Sequence, residues 1–209
     1  MAIIDPTKPL TLNDLYTWQP GIRQEIITDG ILPKGHILFI YGEQETFKSW
    51  LSLDLVFNIL EGKKWLVYNT KPVKILLINP ELPIDAYRER LIDFLTLRNL
   101  TYLLTLKDLL IWSNLEINLT SVIGRTELAG YVSSFKPDLI VIDGLEFVAG
   151  DVSQFVLADA FKTTINSIRK INNPSFVIIH HKKKGSYDLD TKLNHGIDDM
   201  FGHSLVKNM

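Results

Sequence analysis

The feature of this 209-residue chain that most restricts its fold is a recurring unit, a short apolar run followed by a stretch of helical period. Ile37-Leu38-Phe39-Ile40-Tyr41 stops at Gly42, and Ile75 to Asn79 stops at Pro80-Glu81. Leu139-Ile140-Val141-Ile142 stops at Asp143-Gly144, and Phe176-Val177-Ile178-Ile179 stops at His180-His181. Unbroken runs of four or five such residues read as strands buried on both faces. Residues 100–119 have room for one or two more short strands, with Leu109-Leu110-Ile111-Trp112 the better candidate. Helices are expected from Trp50 to Gly62, from about 83 with Tyr87, Leu91, Phe94 and Leu95 on one side, from a cap at Thr120 or Ser121 to about Phe135, and over about 153–170. Strands alternating with helices imply an α/β fold with a mostly parallel central sheet flanked by helices. Ligands of such folds bind beyond the carboxyl ends of the strands. Every unusual polar cluster of this sequence falls there.

The totals narrow the class further. The length suits one large domain, here residues 31–209, preceded by a lead-in arm over 1–30 in which Thr11 can cap a short helix. With 22 Lys and Arg against 24 Asp and Glu, and a net charge of -2, the chain as a whole does not attract nucleic acid, so any such contact must be a local patch. A hydrophobic content of 46% excludes a disordered chain. The absence of cysteine excludes disulfides and cysteine-ligated zinc and suits a reducing compartment. The opening MAIIDPTKPL lacks the basic start and apolar run of a signal peptide, and no segment reaches the roughly 18 continuous apolar residues of a membrane span. A cytoplasmic protein without membrane contact is expected.

Between the first strand and its helix lies Gly42-Glu43-Gln44-Glu45-Thr46-Phe47-Lys48-Ser49, followed by Trp50. A phosphate-binding loop has Gly, four free positions, Gly, Lys and Ser or Thr. Gly42, Lys48 and Ser49 are in register, and Phe47 replaces the second glycine. In such a loop backbone N–H groups and the positive helix end hold phosphate oxygens, the lysine reaches the β and γ phosphates, and the hydroxyl holds magnesium. Phe47 is compatible if it stays in right-handed helical space with its ring toward the core. The plain alternative is a solvated lysine at a helix start, where the dipole opposes it; that mismatch argues for a bound anion.

Asp143 ends an apolar strand, where a carboxylate needs a partner or a cation. It is a candidate magnesium ligand, or Asp143-Gly144 is simply a turn. Glu81, just past the second strand, could activate an attacking water or cap the following helix. His180 and His181 point different ways and make a poor metal pair; a neutral histidine that senses the γ phosphate or orients water fits better. Lys182 to Lys184 read as a solvated loop or as a local basic patch for DNA or a neighbour's nucleotide, and 185–199 as a mobile loop.

Taken in order, "ILPKGHILFIYGEQETFKSWLSLDLV", "ILLINPELP" with "YRERL", "DLIVIDGL", "FVIIHHKKKG" and "MFGHS" resemble the RecA-like ATPases of the plasmid replicative helicase type, also described as AAA-family ATPases of phages and mobile elements. The resemblance spans about residues 26 to 205. It implies a RecA-like P-loop fold and binding of ATP with Mg2+, with Gly42 to Ser49 as Walker A loop, Glu81 as catalytic glutamate, Asp143 as Walker B aspartate and His180 as the sensor. It further implies a homo-oligomer, usually a hexameric ring, with nucleotide at the subunit boundary, single-stranded DNA in the centre and a basic finger from the neighbour. Helicase action in DNA replication, with a replication or mobile-element protein partner, belongs to the same implication. The chain departs from the pattern in ending soon after Gly202-His203-Ser204, where the family continues with further strands, and in its finger, for which Lys184 is the candidate. Three functions follow: an ATPase acting on single-stranded DNA, a slow ATPase switch or loader acting on a protein, and a degenerate P-loop module with a structural or DNA-binding role. Retention of Lys48, Ser49, Glu81 and Asp143 favours the first two.

Overall fold

A computed structural model describes residues 8–19, 21–43, 45–102, 107–150 and 155–181, with only the backbone of His181. The chain begins with α1 (Leu12–Thr17), capped by Thr11 through a reciprocal bond with Asp14, and with none of its residues buried. A hairpin of β1 (Glu25–Ile27) and β2 (Leu32–Pro33) follows. The expected arm therefore divides: α1 stays on the surface, while Ile26, Ile27 and Leu32 pack into the core.

Five strands form the main sheet: β3 (Ile37–Gly42), β4 (Ile75–Asn79), β5 (Leu109–Ser113), β6 (Leu139–Asp143) and β7 (Ser175–His181). All pairings among them are parallel, in the order β3-β7-β6-β4-β5. Residues 100–119 contribute one strand among those described. The connecting helices are α2 (Lys48–Glu61), α3 (Ile84–Leu97), α4 (Val122–Phe135), α5 (Leu145–Ala149) and α6 (Phe155–Asn172). Ser121 caps α4, its hydroxyl accepting from Gly124 N–H at 3.0 Å, and Gly62 ends α2 with a φ of 65°. The short α5 has no counterpart in the sequence-based expectation.

The period-2 alternation of the strands sorts the apolar residues into two cores. Ile75, Leu77, Leu139, Val141, Val177 and Ile179 face α2 and α3, where Leu53, Phe57, Tyr87 and Phe94 meet them. Leu76, Ile78, Ile140, Ile142, Phe176 and Ile178 face the other way, toward α4, α5 and α6 with Leu128, Leu145 and Phe161. Each fully buried side chain of this kind contributes about 1.5–3 kcal/mol, which explains why the middle positions of these strands are apolar. Register then brings the ends together. Tyr41 pairs with His180, Gly42 with His181, and Asp143 with Ile179. No helix among the described residues is long and apolar enough to cross a membrane.

Candidate functional site

The loop after β3 is built on backbone conformations that side chains rarely adopt. Glu45 has φ 61° and Phe47 φ 59°, with no positive φ at Thr46 between them. Left-handed residues separated by one at negative φ are the kind of backbone from which anion-binding concavities are built. Phe47 corrects the sequence-based expectation: it lies in left-handed space at the N-cap of α2, and its ring is 76% exposed instead of turned to the core. A non-glycine residue there costs about 1–2 kcal/mol, a strain that the curvature of the loop imposes. Gly42 meets the loop closely, since a Cβ on it would lie 3.3 Å from Thr46 Oγ1.

Lys48 opens α2 and is buried, with Nζ donating to the Glu43 carbonyl and to Thr46 Oγ1 at 3.2 Å. Burial lowers its pKa, while the carboxylates of Glu81 and then Asp143 act to raise it. No acid stands in the first turn of α2 to answer the helix dipole. Ser49, one residue on, donates its hydroxyl to Asp143 Oδ1 at 3.1 Å across 94 positions of sequence. Trp50 turns inward, its ring 6.0 Å from that of Phe94. Gln44 lies outside the described residues.

Asp143 is buried at the end of β6, and Gly144 after it has φ 121°, with no room for a Cβ, which would come within 2.7 Å of the Phe147 ring. The dipeptide thus does change the chain direction, into α5, but the carboxylate points back to Ser49 rather than serving the turn. Glu81 sits on the bend between β4 and α3 and does not cap that helix, whose N-cap is Pro83 without a side-chain bond. Asn79 holds this bend. It is buried, donates from Nδ2 to the Leu82 carbonyl at 3.0 Å and to Ser113 Oγ at 2.8 Å, and accepts from Leu82 N–H at 3.4 Å. Sequence reasoning passed over Asn79, although a polar residue closing an apolar strand was the same signal that singled out Asp143.

His180 is buried near the end of β7, with Nδ1 3.2 Å from Glu146 Oε2 on α5. Glu146 was also missed; nothing in the sequence links it to His180, because only the fold of β6 into α5 makes them neighbours. Lys182 to Lys184, residues 185–199 and the Gly202-His203-Ser204 segment lie outside the described residues.

Burial, helped by Glu81, pushes the Asp143 carboxyl up to about 6, against the pull of the Ser49 hydrogen bond, Arg90 and Lys48. A carboxyl whose folded pKa exceeds its unfolded value of 3.8 favours the native state at low pH and loses that contribution as pH rises through about 6. The loss amounts to about 3 kcal/mol. Asp143→Asn keeps an acceptor for Ser49 and removes the buried charge, so nucleotide-free variant should melt higher than wild type at pH 7.5, with the gap closing toward pH 4. Thermal melts at both pH values check this, and a variant less stable at both would refute it.

The chemistry of the donor set fits magnesium. Ser49 Oγ and Asp143 Oδ1 are adjacent hard oxygens, and Mg2+ takes one or two protein oxygens while waters and substrate phosphates fill the rest of its octahedron. Among the described residues no group of three His, Cys, Asp or Glu side chains offers an all-protein metal site.

A strand-loop-helix turn, an acid at the end of a parallel strand that meets the helix, and a five-stranded parallel sheet between two helical layers make a RecA-like P-loop fold. The chain belongs to the AAA domain family, whose profile matches residues 5–187. Among solved structures, a KaiC-like protein from the hyperthermophilic archaeon Pyrococcus horikoshii OT3 superposes with a TM-score of 0.51 at 13% identity, over 75% of this chain and 67% of that one. The flagellar accessory protein FlaH from Methanocaldococcus jannaschii gives 0.46 at 15% identity, over 71% of this chain and 62% of that one. At 13% identity the likeness to the KaiC-like protein concerns the fold alone. No curated protein matches the chain.

Proposed function

We propose that this chain binds and hydrolyses ATP with Mg2+, as one subunit of a homo-oligomer that acts on single-stranded DNA. The observation that carries the ATPase half is the Ser49–Asp143 hydrogen bond, with Lys48 and Glu81 acting on the same cluster. The N–H groups of the loop would cradle the phosphates. Lys48 would exchange its loop acceptors for β and γ phosphate oxygens, and Ser49 and Asp143 would hold the cation. Mg2+ would supply charge neutralisation of the phosphoryl oxygens. Glu81, on its clamped bend, would orient and activate water, with His180 steadied by Glu146 as the γ-phosphate sensor.

Two observations support assembly. Glu43, Glu45, Thr46 and Phe47 are exposed, which leaves the cradle open to a neighbour. Leu12, Tyr16 and Ile22 are exposed at 85%, 88% and 101%, apolar surface suited to contact with another chain. That surface also favours a second reading, a slow switch or loader docked on a protein partner. The DNA half and the hexameric ring rest on the family resemblance. ATP turnover measured over a range of protein concentrations, with and without single-stranded DNA, tests both: specific activity should rise with concentration and rise again with DNA. Concentration dependence with indifference to DNA would favour the switch. Absence of Mg2+-dependent turnover under every condition would leave a degenerate module.

A further inference from the structure

Tyr87 stands in the first turn of α3, its N–H donating to the Pro83 carbonyl at 2.9 Å. Its ring is fully buried in the core shared by α2, α3 and the sheet, alongside Leu77 and Val141. Among the described residues its Oη has no hydrogen-bond partner. A hydroxyl buried in that state is unfavourable, and phenylalanine would fill the same space without the penalty. The oxygen therefore needs a reason to be there.

Its neighbours suggest one. Val141 shares that core with Tyr87, and Asp143, two positions further along β6, faces the same side of the sheet, so the phenol and the last carboxylate of β6 lie on one face. Burial first, then Asp143, raises the phenol's pKa well beyond its ordinary value, and the group stays a neutral O–H donor. The acceptors at hand are carboxylates: Asp143 gives one oxygen to Ser49, and Glu81 belongs to the same cluster.

We infer that Tyr87 is a positioning residue of this site, its Oη donating directly or across one water to the Asp143 carboxylate when nucleotide and cation are bound, so that Asp143 is held toward Ser49 and the metal. The inference rests on the proposed Mg2+-dependent ATP chemistry. Outer hydrogen bonds of this kind orient the ligands of a metal and set its affinity.

Tyr87→Phe keeps the ring and removes only the hydroxyl. Three quantities are measured on the full chain: the melting temperature without nucleotide, Mn2+ binding in the presence of ADP by electron paramagnetic resonance, and the Mg2+ concentration giving half-maximal ATP turnover. A positioning role predicts an equal or higher melting temperature, Mn2+ affinity weakened on the order of 10-fold, and a Mg2+ requirement raised by a similar factor. A purely structural hydroxyl predicts the higher melting temperature with both metal readouts at wild-type values, and that result overturns the inference. Asp143→Asn, run alongside, separates the two levels. If it loses Mn2+ binding while Tyr87→Phe matches wild type, only the role of Tyr87 fails. If Asp143→Asn also binds Mn2+ like wild type, the assignment of the metal site fails with it.

Discussion

Replacing Lys48 with alanine is expected to reduce ATP turnover by at least about 10²–10³-fold, the worth of one preorganised donor to developing charge, and to weaken ATP binding. The ammonium is buried against the loop, held by the Glu43 carbonyl and Thr46 Oγ1, both of which it can release to a phosphate. Alanine favours the first turn of a helix, and the Asp143 carboxyl, already pushed up by burial, can take a proton when the ammonium is gone. The fold should survive, because the burial that lowers the lysine's pKa means the charged side chain adds little to stability in the absence of an anion. Circular dichroism establishes the fold, and titration with ATP and a turnover assay establish the loss. Equal turnover in variant and wild type would end the phosphate-loop assignment.

Glu81→Gln should leave ATP affinity nearly unchanged while lowering turnover by about 10²–10⁴-fold, the contribution of a placed general base. The structure removes the competing explanation of Glu81 as a helix cap, since α3 starts from Pro83 without a side-chain bond. It also supplies what a base requires, a fixed bend: Asn79 grips the Leu82 backbone from both sides and reaches across to Ser113 on β5. A glutamine at position 81 has the same length and hydrogen-bonding reach but cannot accept a proton in the transition state. Nucleotide affinity, melting temperature and rate measured in parallel distinguish the roles. A drop in stability of about 1 kcal/mol with turnover intact would mark Glu81 as structural.

Much of the architecture was legible in the chain because burial on both faces demands continuous apolar runs, and few other structures do. The four runs that end at Gly42, Asn79, Asp143 and His180-His181 are strands in the structure, though β3, at the edge of the sheet, is only half-buried where a buried strand was expected, and the start signal at Ser121 and the stop signal at Gly62 lie at helix ends. Phe47 shows where local reasoning stops. Local reasoning admits a phenylalanine here only at negative φ, but the chain must turn between a strand and a helix already fixed by their cores. That constraint outweighs about 1–2 kcal/mol of backbone strain, so the ring goes to the surface.

By itself the sequence determined the α/β class, the places where strands end, and the residue types gathered at those ends, because each depends on neighbours within a few positions. Only the tertiary structure decided which ends meet. The order β3-β7-β6-β4-β5 sets β7 between the strand of the loop and the strand of Asp143, and the first turn of α2 reaches back so that Ser49 and Asp143 meet at 3.1 Å. Glu146 beside His180, Asn79 bonded to Ser113 of β5, and Tyr87 on the same side of β6 as Asp143 are likewise products of that order. No period or spacing in a single chain encodes such meetings, since the free energy that selects them comes from packing two whole helical layers against one sheet.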